Sequence, residues 1–191
     1  MKKILLLDNH DSFTYNLAGL LRNHGKVTFN IIRPENLIFE EVQYFDKILF
    51  SPGPGIPDEH PAMNRLLELF HRTKPILGIC LGHQAIGAFF GATIENLDRV
   101  IHGQDRKLSI LDPGHYLFRG IEGDTEVGLY HSWVVGKEKF PEELQILAIS
   151  EEGLIMAIAH KTYDICGLQF HPESIITVNG QKMIDNWIDH S

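Results

Sequence analysis

The sequence predicts an α/β fold: a mainly parallel sheet covered on both faces by helices, with antiparallel strands added in its second half. Three observations carry that expectation. Over the first ninety residues, short apolar runs alternate with helical patterns. The runs are apolar at nearly every position, as in strands buried on both faces. Beyond Ala92 the pattern changes to short strands separated by the turn signals Asp112-Pro113-Gly114, Glu122-Gly123-Asp124 and Glu151-Glu152-Gly153.

Taken in order, Lys3–Asp8 is an apolar run that stops at an acid, hence a first strand. Ser12 then caps a helix from Phe13 to about His24, with Leu17, Leu20 and Leu21 at helical spacing and Gly25 as its stop. Val27–Arg33 is a second strand, and Asp46–Ser51 a third, broken at once by Pro52-Gly53-Pro54-Gly55. Pro61–Arg72 is an amphipathic helix with Met63, Leu66, Leu67 and Phe70 on one face. Pro75–Ile79 is a fourth strand, followed by a small-residue helix from about Gly82 to Phe90. After the antiparallel segment comes a late apolar strand, Ile165–Phe170, and a closing helix, Gly180–His190. With no repeat, linker or low-complexity tract, residues 1–191 are expected to form one domain.

Bulk properties narrow the function. At 43% apolar and 22% charged, the chain reads as an ordinary soluble protein. A chain of this length can bury roughly 70% of its unfolded surface and needs no disulfide staple. The net charge is −8 with the basic residues scattered, which argues against nucleic acid or an anionic membrane as partner. The apolar start ends at Asp8 with no small-residue cleavage site after it, so it reads as a strand and not a signal peptide. No run approaches the ~20 apolar residues of a membrane span. Cys80 and Cys166 are the only cysteines, and without an export signal they are expected to be free thiols in the cytoplasm. Neither metal nor cofactor is indicated.

Cys80 lies in Gly78-Ile79-Cys80-Leu81-Gly82, after a buried strand and before a helix. This is the cysteine counterpart of a nucleophile elbow, a tight turn where side chains at the flanking positions would strike neighbouring backbone. The following helix points its N–H groups and positive dipole end at the sulfur, which favours the reactive thiolate. The turn leaves two readings open, a nucleophile or a buried core cysteine.

A thiol nucleophile needs a base, and the base needs a third group to hold its tautomer. Gln169-Phe170-His171-Pro172-Glu173 offers both, because extended backbone puts His171 and Glu173 on one side and Pro172 restrains the pair. By themselves they also suit a surface pair or two ligands of a metal, although no further cysteine or histidine has zinc spacing to them. Ser51–Gly55 ends the third strand at the same carboxyl edge as Cys80, where open parallel sheets bind ligands. Its glycines would let N–H groups approach an oxyanion, or simply make a turn. His10, His102, His115 and His160 read as loop or surface residues.

Together these segments resemble the class I, or triad, glutamine amidotransferases, and more narrowly the small subunits of anthranilate synthase and aminodeoxychorismate synthase. The resemblance runs over nearly the whole chain: Asp8–Leu17, Ser51–Gly55, Gly78–Gln84, Tyr130-His131-Ser132 and His171–Thr177. It implies a flavodoxin-like three-layer αβα sandwich. It implies Cys80 as nucleophile, His171 as base and Glu173 as its orienter. Gly53 and Leu81 would supply the oxyanion hole. Gly53, Pro54, Gly55, Gln84, Ser132 and Trp133 would hold L-glutamine. Ammonia would pass to a chorismate-binding synthase subunit docked on Asn9, Asp11, Ser12, Phe13 and Tyr15. The chain departs from the family at Gln104-Asp105-Arg106, where Lys-Thr-Ser or similar is usual after His102-Gly103. That touches partner-facing and gating details but not the triad.

Two other readings compete. A γ-glutamyl hydrolase or cysteine peptidase on the same scaffold would keep the chemistry, but would not need the docking-like Ser12–Tyr15 segment. A flavodoxin- or receiver-like binding module could use Asp8 and Asp11, yet the third strand ends in Ser51-Pro52 where a phosphoacceptor aspartate belongs.

Overall fold

The computed structural model describes residues 1–97, 103–122 and 125–190. His102, and Gly123 and Asp124 of the second expected turn, lie outside them. The strands are β1 (Lys2–Leu7), β2 (Val27–Ile32), β3 (Lys47–Phe50), β4 (Ile76–Ile79), β5 (Ile94–Asn96), β6 (Gln104–Ile110), β7 (Thr125–Leu129), β8 (Trp133–Val135), β9 (Leu144–Ser150), β10 (Ile155–His160) and β11 (Ile165–Leu168). The helices are α1 (Thr14–His24), α2 (Pro61–Phe70), α3 (Leu81–Phe89) and α4 (Gly180–Asp189).

Among the described residues nine strands make one sheet in the order β2-β1-β3-β4-β11-β10-β9-β6-β7, and β5 pairs with β8 separately. The first five are parallel neighbours, and the remaining pairings are antiparallel. Alternation along β1 shows the layering. Ile4 and Leu6 join Leu17 and Leu21 of α1 and Met183, Ile184 and Trp187 of α4 in one core. Leu5 and Leu7 join Met63, Leu66 and Leu67 of α2 and Ala85 and Ile86 of α3 in the other. Side chains on a strand alternate faces, so a fully apolar strand needs a helical layer on each side. The three-layer α/β expectation therefore holds, and the antiparallel segment extends the same sheet.

Two local expectations need correction. Ser12 does not cap α1; that helix begins at Thr14 with no side-chain cap. The turn before it is held instead by Asp11 Oδ1, which accepts from Phe13 N–H at 2.7 Å, and by Asp8 Oδ1, which accepts from Thr14 Oγ1 at 2.9 Å. The strand expected to run to Phe170 stops at Leu168. Gly25 does end α1, in the left-handed conformation at φ 75° that glycine adopts most cheaply.

The register gathers the carboxyl ends of four strands. Leu7 lies opposite Phe50, Phe50 opposite Gly78, and Ile79 opposite Leu168. The loops after β1, β3, β4 and β11 therefore leave the sheet at one edge.

Candidate active site

At that edge Cys80 has φ 51° and ψ −99°, a left-handed backbone that a side-chain-bearing residue rarely adopts. Its N–H donates to Leu168 O at 2.7 Å and its carbonyl accepts from Gln84 N–H at 3.0 Å, so β11 and α3 clamp the turn. The flanking glycines have a steric cause. A Cβ on Gly78 would lie 2.3 Å from the carbonyl group of Gly82, and one on Gly82 would lie 2.7 Å from Phe50 Cβ. Cys80 is 6% exposed.

His171 follows β11 with its N–H on Gly128 O at 3.0 Å, and its carbonyl accepts from Thr177 Oγ1 at 2.7 Å. Gly180 lets α4 close on this loop, since a Cβ there would lie 1.8 Å from Pro172 O. Nδ1 of His171 is 2.7 Å from Glu173 Oε1. A carboxylate only accepts, so Nδ1 carries a proton in either charge state and Nε2 is the nitrogen that takes up and releases the second one. The pair meets as expected, but not along an extended strand. Ser174 N–H returns to His171 O at 3.1 Å, so residues 171–174 form a turn that folds the carboxylate back onto the ring. Nε2 is buried and has no hydrogen bond of ordinary geometry among the described residues, yet Cys80 is close enough to act on the ring. Burial opposes the imidazolium, but Cys80 and Glu173 together outweigh it and hold the ring's pKa up at about 10.

A cavity of about 220 Å³ is lined in part by Cys80. Its lining comes from three segments: Gly53 to Gly55 after β3, Cys80, Leu81 and Gln84 at the elbow and first turn of α3, and Tyr130 to Trp133 between β7 and β8. Every residue expected to bind ligand is thus in one place. Gly53 packs so closely that a Cβ would meet Leu81 Cδ2 at 2.6 Å and Asn9 O at 2.9 Å. The carbonyls of Ser132 and Trp133 are already paired, with Leu97 N–H at 2.7 Å and Gln84 Nε2 at 2.7 Å.

The first loop divides. Ser12 and Tyr15 are exposed, and Asp11 is half-buried. Asn9, expected at a partner surface, is instead fully buried; its N–H reaches Ser51 Oγ at 2.9 Å and its Nδ2 Ser51 O at 3.0 Å. It ties the β1 loop to the β3 loop. Phe13 is half-buried and turns inward, its ring 5.2 Å from that of His171 and 5.1 Å from that of Tyr130. Tyr130 also meets His171 at 4.9 Å and shares a 3.1 Å hydrogen bond with Ser174 Oγ. Sequence reasoning does not foresee this aromatic clamp on the imidazole. It also misses Gln169, although that residue stands two positions before His171; its Nε2 lies 3.6 Å from Cys80 Sγ. Asp8, weighed as an acidic-pocket residue, is engaged by Thr14 and by Arg33 at 3.3 Å. Cys80 and Cys166 are both free thiols.

Two buried histidines beside the site set a pH dependence. Burial pulls His83 down to about 3, and burial with the nearby His171 pulls His131 down to about 4. Both rings are neutral in the fold and take up a proton on unfolding below 6.5. The stability they support is whole above that value and is lost as pH falls towards their folded values. His171 has the opposite sign: its contribution is whole below 6.5 and is lost as pH rises towards 10. At about 1.4 kcal/mol per unit, each neutral ring costs about 2 kcal/mol at about pH 5. Urea unfolding should therefore show a net loss of about 3 kcal/mol from about pH 7 to about pH 5. A flat profile would show that the two rings are not held neutral.

A strand-end thiol on a strained elbow, a buried His–Glu pair beside it and a glycine loop lining the same cavity make an arrangement able to carry thiol acyl transfer on a three-layer α/β fold. The chain matches the glutamine amidotransferase class-I family over residues 5–190 and belongs to it. A Haemophilus influenzae protein, provisionally named anthranilate synthase component II, is 42% identical over 97% of this chain and 95% of its own length. The aminodeoxychorismate/anthranilate synthase component 2 of Bacillus subtilis is 37% identical over 97% and 95%. A crystal structure from Thermoplasma acidophilum, provisionally described as part of a GMP synthase, superposes with a TM-score of 0.87 at 26% identity, covering 98% of this chain and 92% of that one.

Proposed function

We propose that this chain is the glutamine-hydrolysing subunit of a two-chain synthase, passing ammonia from L-glutamine to a chorismate-binding synthase subunit. The observation that carries the reading is the contact of the buried His171–Glu173 pair with Cys80 in the lining of a cavity of about 220 Å³. His171 takes the Cys80 proton, and the sulfur attacks the carbon of the substrate's side-chain amide. The oxygen gains negative charge towards the N–H groups of Gly53 and Leu81, a kind of contact worth about a hundredfold or more in rate. His171 returns its proton to the nitrogen, the C–N bond breaks, and ammonia leaves a glutamyl thioester on Cys80. Water, deprotonated by His171, then attacks the thioester; the C–S bond breaks, glutamate departs and the thiol recovers its proton. Glu173 holds the ring tautomer in both halves. Residues 1–191 act as one cytoplasmic amidotransferase domain in this reading.

The loops that carry Phe13 and Glu173 support a partner. Ile175 is 99% exposed and Val178 75%, in the loop that carries Glu173, and Tyr15 is 60% exposed close after Phe13. Large exposed apolar side chains on the loops that hold site residues favour docking by another protein over solvent. Relatives named as second components of synthases point the same way. Mixing the chain with the chorismate-binding subunit should raise glutamate release from glutamine about tenfold or more, since docking completes such sites. Tyr15→Asp with Ile175→Asp should lose that increase. Faster cleavage of peptides or γ-glutamyl peptides than of glutamine would overturn the assignment in favour of a free hydrolase.

A further inference from the structure

We infer that Gln169 is a working part of the nucleophile: its side-chain amide donates to Cys80 Sγ and links that sulfur to the ligand-binding wall of the cavity through Gln84. The inference rests on the reading of Cys80 as the attacking group. Gln169 is fully buried at the end of β11, with its own N–H on Met156 O at 2.8 Å. Its Nε2 lies 3.6 Å from Cys80 Sγ, a hydrogen-bond distance for the larger sulfur atom. Its Oε1 accepts from Gln84 Nε2 at 3.2 Å, and the same Gln84 nitrogen donates to Trp133 O at 2.7 Å.

The chain of bonds has a direction. Gln84 Nε2 can only donate, so Gln169 must turn its oxygen towards Gln84 and therefore its N–H towards the sulfur. A flipped amide would oppose two NH₂ groups and place an oxygen against the sulfur. An N–H donor is strengthened when its acceptor is an anion, and an amide cannot give its proton away. Gln169 thus favours the thiolate without quenching it. It favours it twice, before attack on the substrate and again when the thiolate is expelled as the thioester is hydrolysed. Gln84 and Trp133 line the cavity, so ligand seated there bears on the residues that aim this donor. A merely space-filling Gln169 would need no such directed contacts, and an apolar side chain of equal length would replace it.

The test compares the wild-type chain with Gln169→Met, which keeps length and volume, and Gln169→Glu, which keeps shape but removes the N–H. Alkylation of Cys80 by iodoacetamide reads the thiolate without substrate or partner. Cys166 does not compete, being fully buried with burial holding its thiol up at about 12. In both variants, alkylation at about pH 7 should slow about fivefold or more and recover as pH is raised. With the partner present, kcat for glutamine should fall about tenfold while KM moves less than about threefold. Unchanged alkylation and unchanged kcat in a folded variant would overturn the inference. Should wild-type protein fail to hydrolyse glutamine while the alkylation difference persists, Gln169 would keep its role and the assigned substrate would be wrong.

Discussion

Cys80→Ala should abolish glutamine hydrolysis, lowering glutamate release by about ten-thousandfold or more, while leaving the fold in place. The loss is large because the sulfur makes the only new covalent bond between protein and substrate in the proposed route, and alanine offers no atom in its place. The fold should survive because alanine carries the same Cβ through the φ 51° elbow and meets the same backbone restraints from Leu168 and Gln84. What disappears is one sulfur and its 3.6 Å contact with Gln169, at a site already open to a cavity. A stability change within about 1 kcal/mol is therefore expected. Glutamate release in the presence of the partner and urea unfolding measure the two halves. Hydrolysis at the wild-type rate would place the nucleophile elsewhere. Cys166 is a poor substitute, since it is buried in the sheet with its sulfur 3.3 Å from the Tyr116 hydroxyl.

Much of this site is legible in the sequence because its parts are local. The elbow declares itself through Gly78 and Gly82, whose Cβ atoms would strike backbone or Phe50 a few ångströms away. Strands buried on both faces announce themselves by unbroken apolar runs, and their parallel order brings their carboxyl ends to one edge. What stays hidden depends on segments far apart in the chain. Phe13 and Tyr130 meet over His171 only after β1, β7 and β11 have taken their places. Asn9 looks like a surface residue until Ser51 is set beside it. Lys47 sits in an otherwise apolar strand, and nothing nearby tells that its Nζ donates to Trp187 O at 2.9 Å and to His190 O at 2.6 Å, satisfying the end of α4. Period-two spacing pairs His171 with Glu173 for the wrong reason, because a turn and a strand both return residue i+2 to the same neighbourhood. The helix entry is held by Asp11 and not Ser12 because the Asp11 side chain reaches Phe13 N–H across two residues, an Asx turn that competes with capping.

Glycine substitution separates the elbow from ordinary helix chemistry. Gly78→Ala should lower stability by about 3 kcal/mol and cut glutamine turnover by about a hundredfold or more. The added methyl would lie 2.3 Å from the Gly82 carbonyl carbon and oxygen and 2.8 Å from His83 N. All three are backbone atoms of the strand-to-helix turn, and β11 and α3 hold that turn through Cys80 N–H and carbonyl. No rotamer can relieve the contact, so β4 and α3 must part. Cys80 then moves relative to His171, which is anchored separately by Gly128 and Thr177. Displacement of about 1 Å between nucleophile and base is enough for the expected loss of rate. Gly19→Ala is the matched control. It lies within α1, has nothing among the described residues outside its own helix backbone and chain neighbours within 4 Å of the added methyl, and should gain about 0.5–1 kcal/mol from reduced backbone freedom in the unfolded chain. Urea unfolding of the two variants measures the contrast, and glutamate release with the partner reads the site. If Gly78→Ala were as stable and active as Gly19→Ala, the elbow could open without cost, and its strained backbone would not be what aims the thiol.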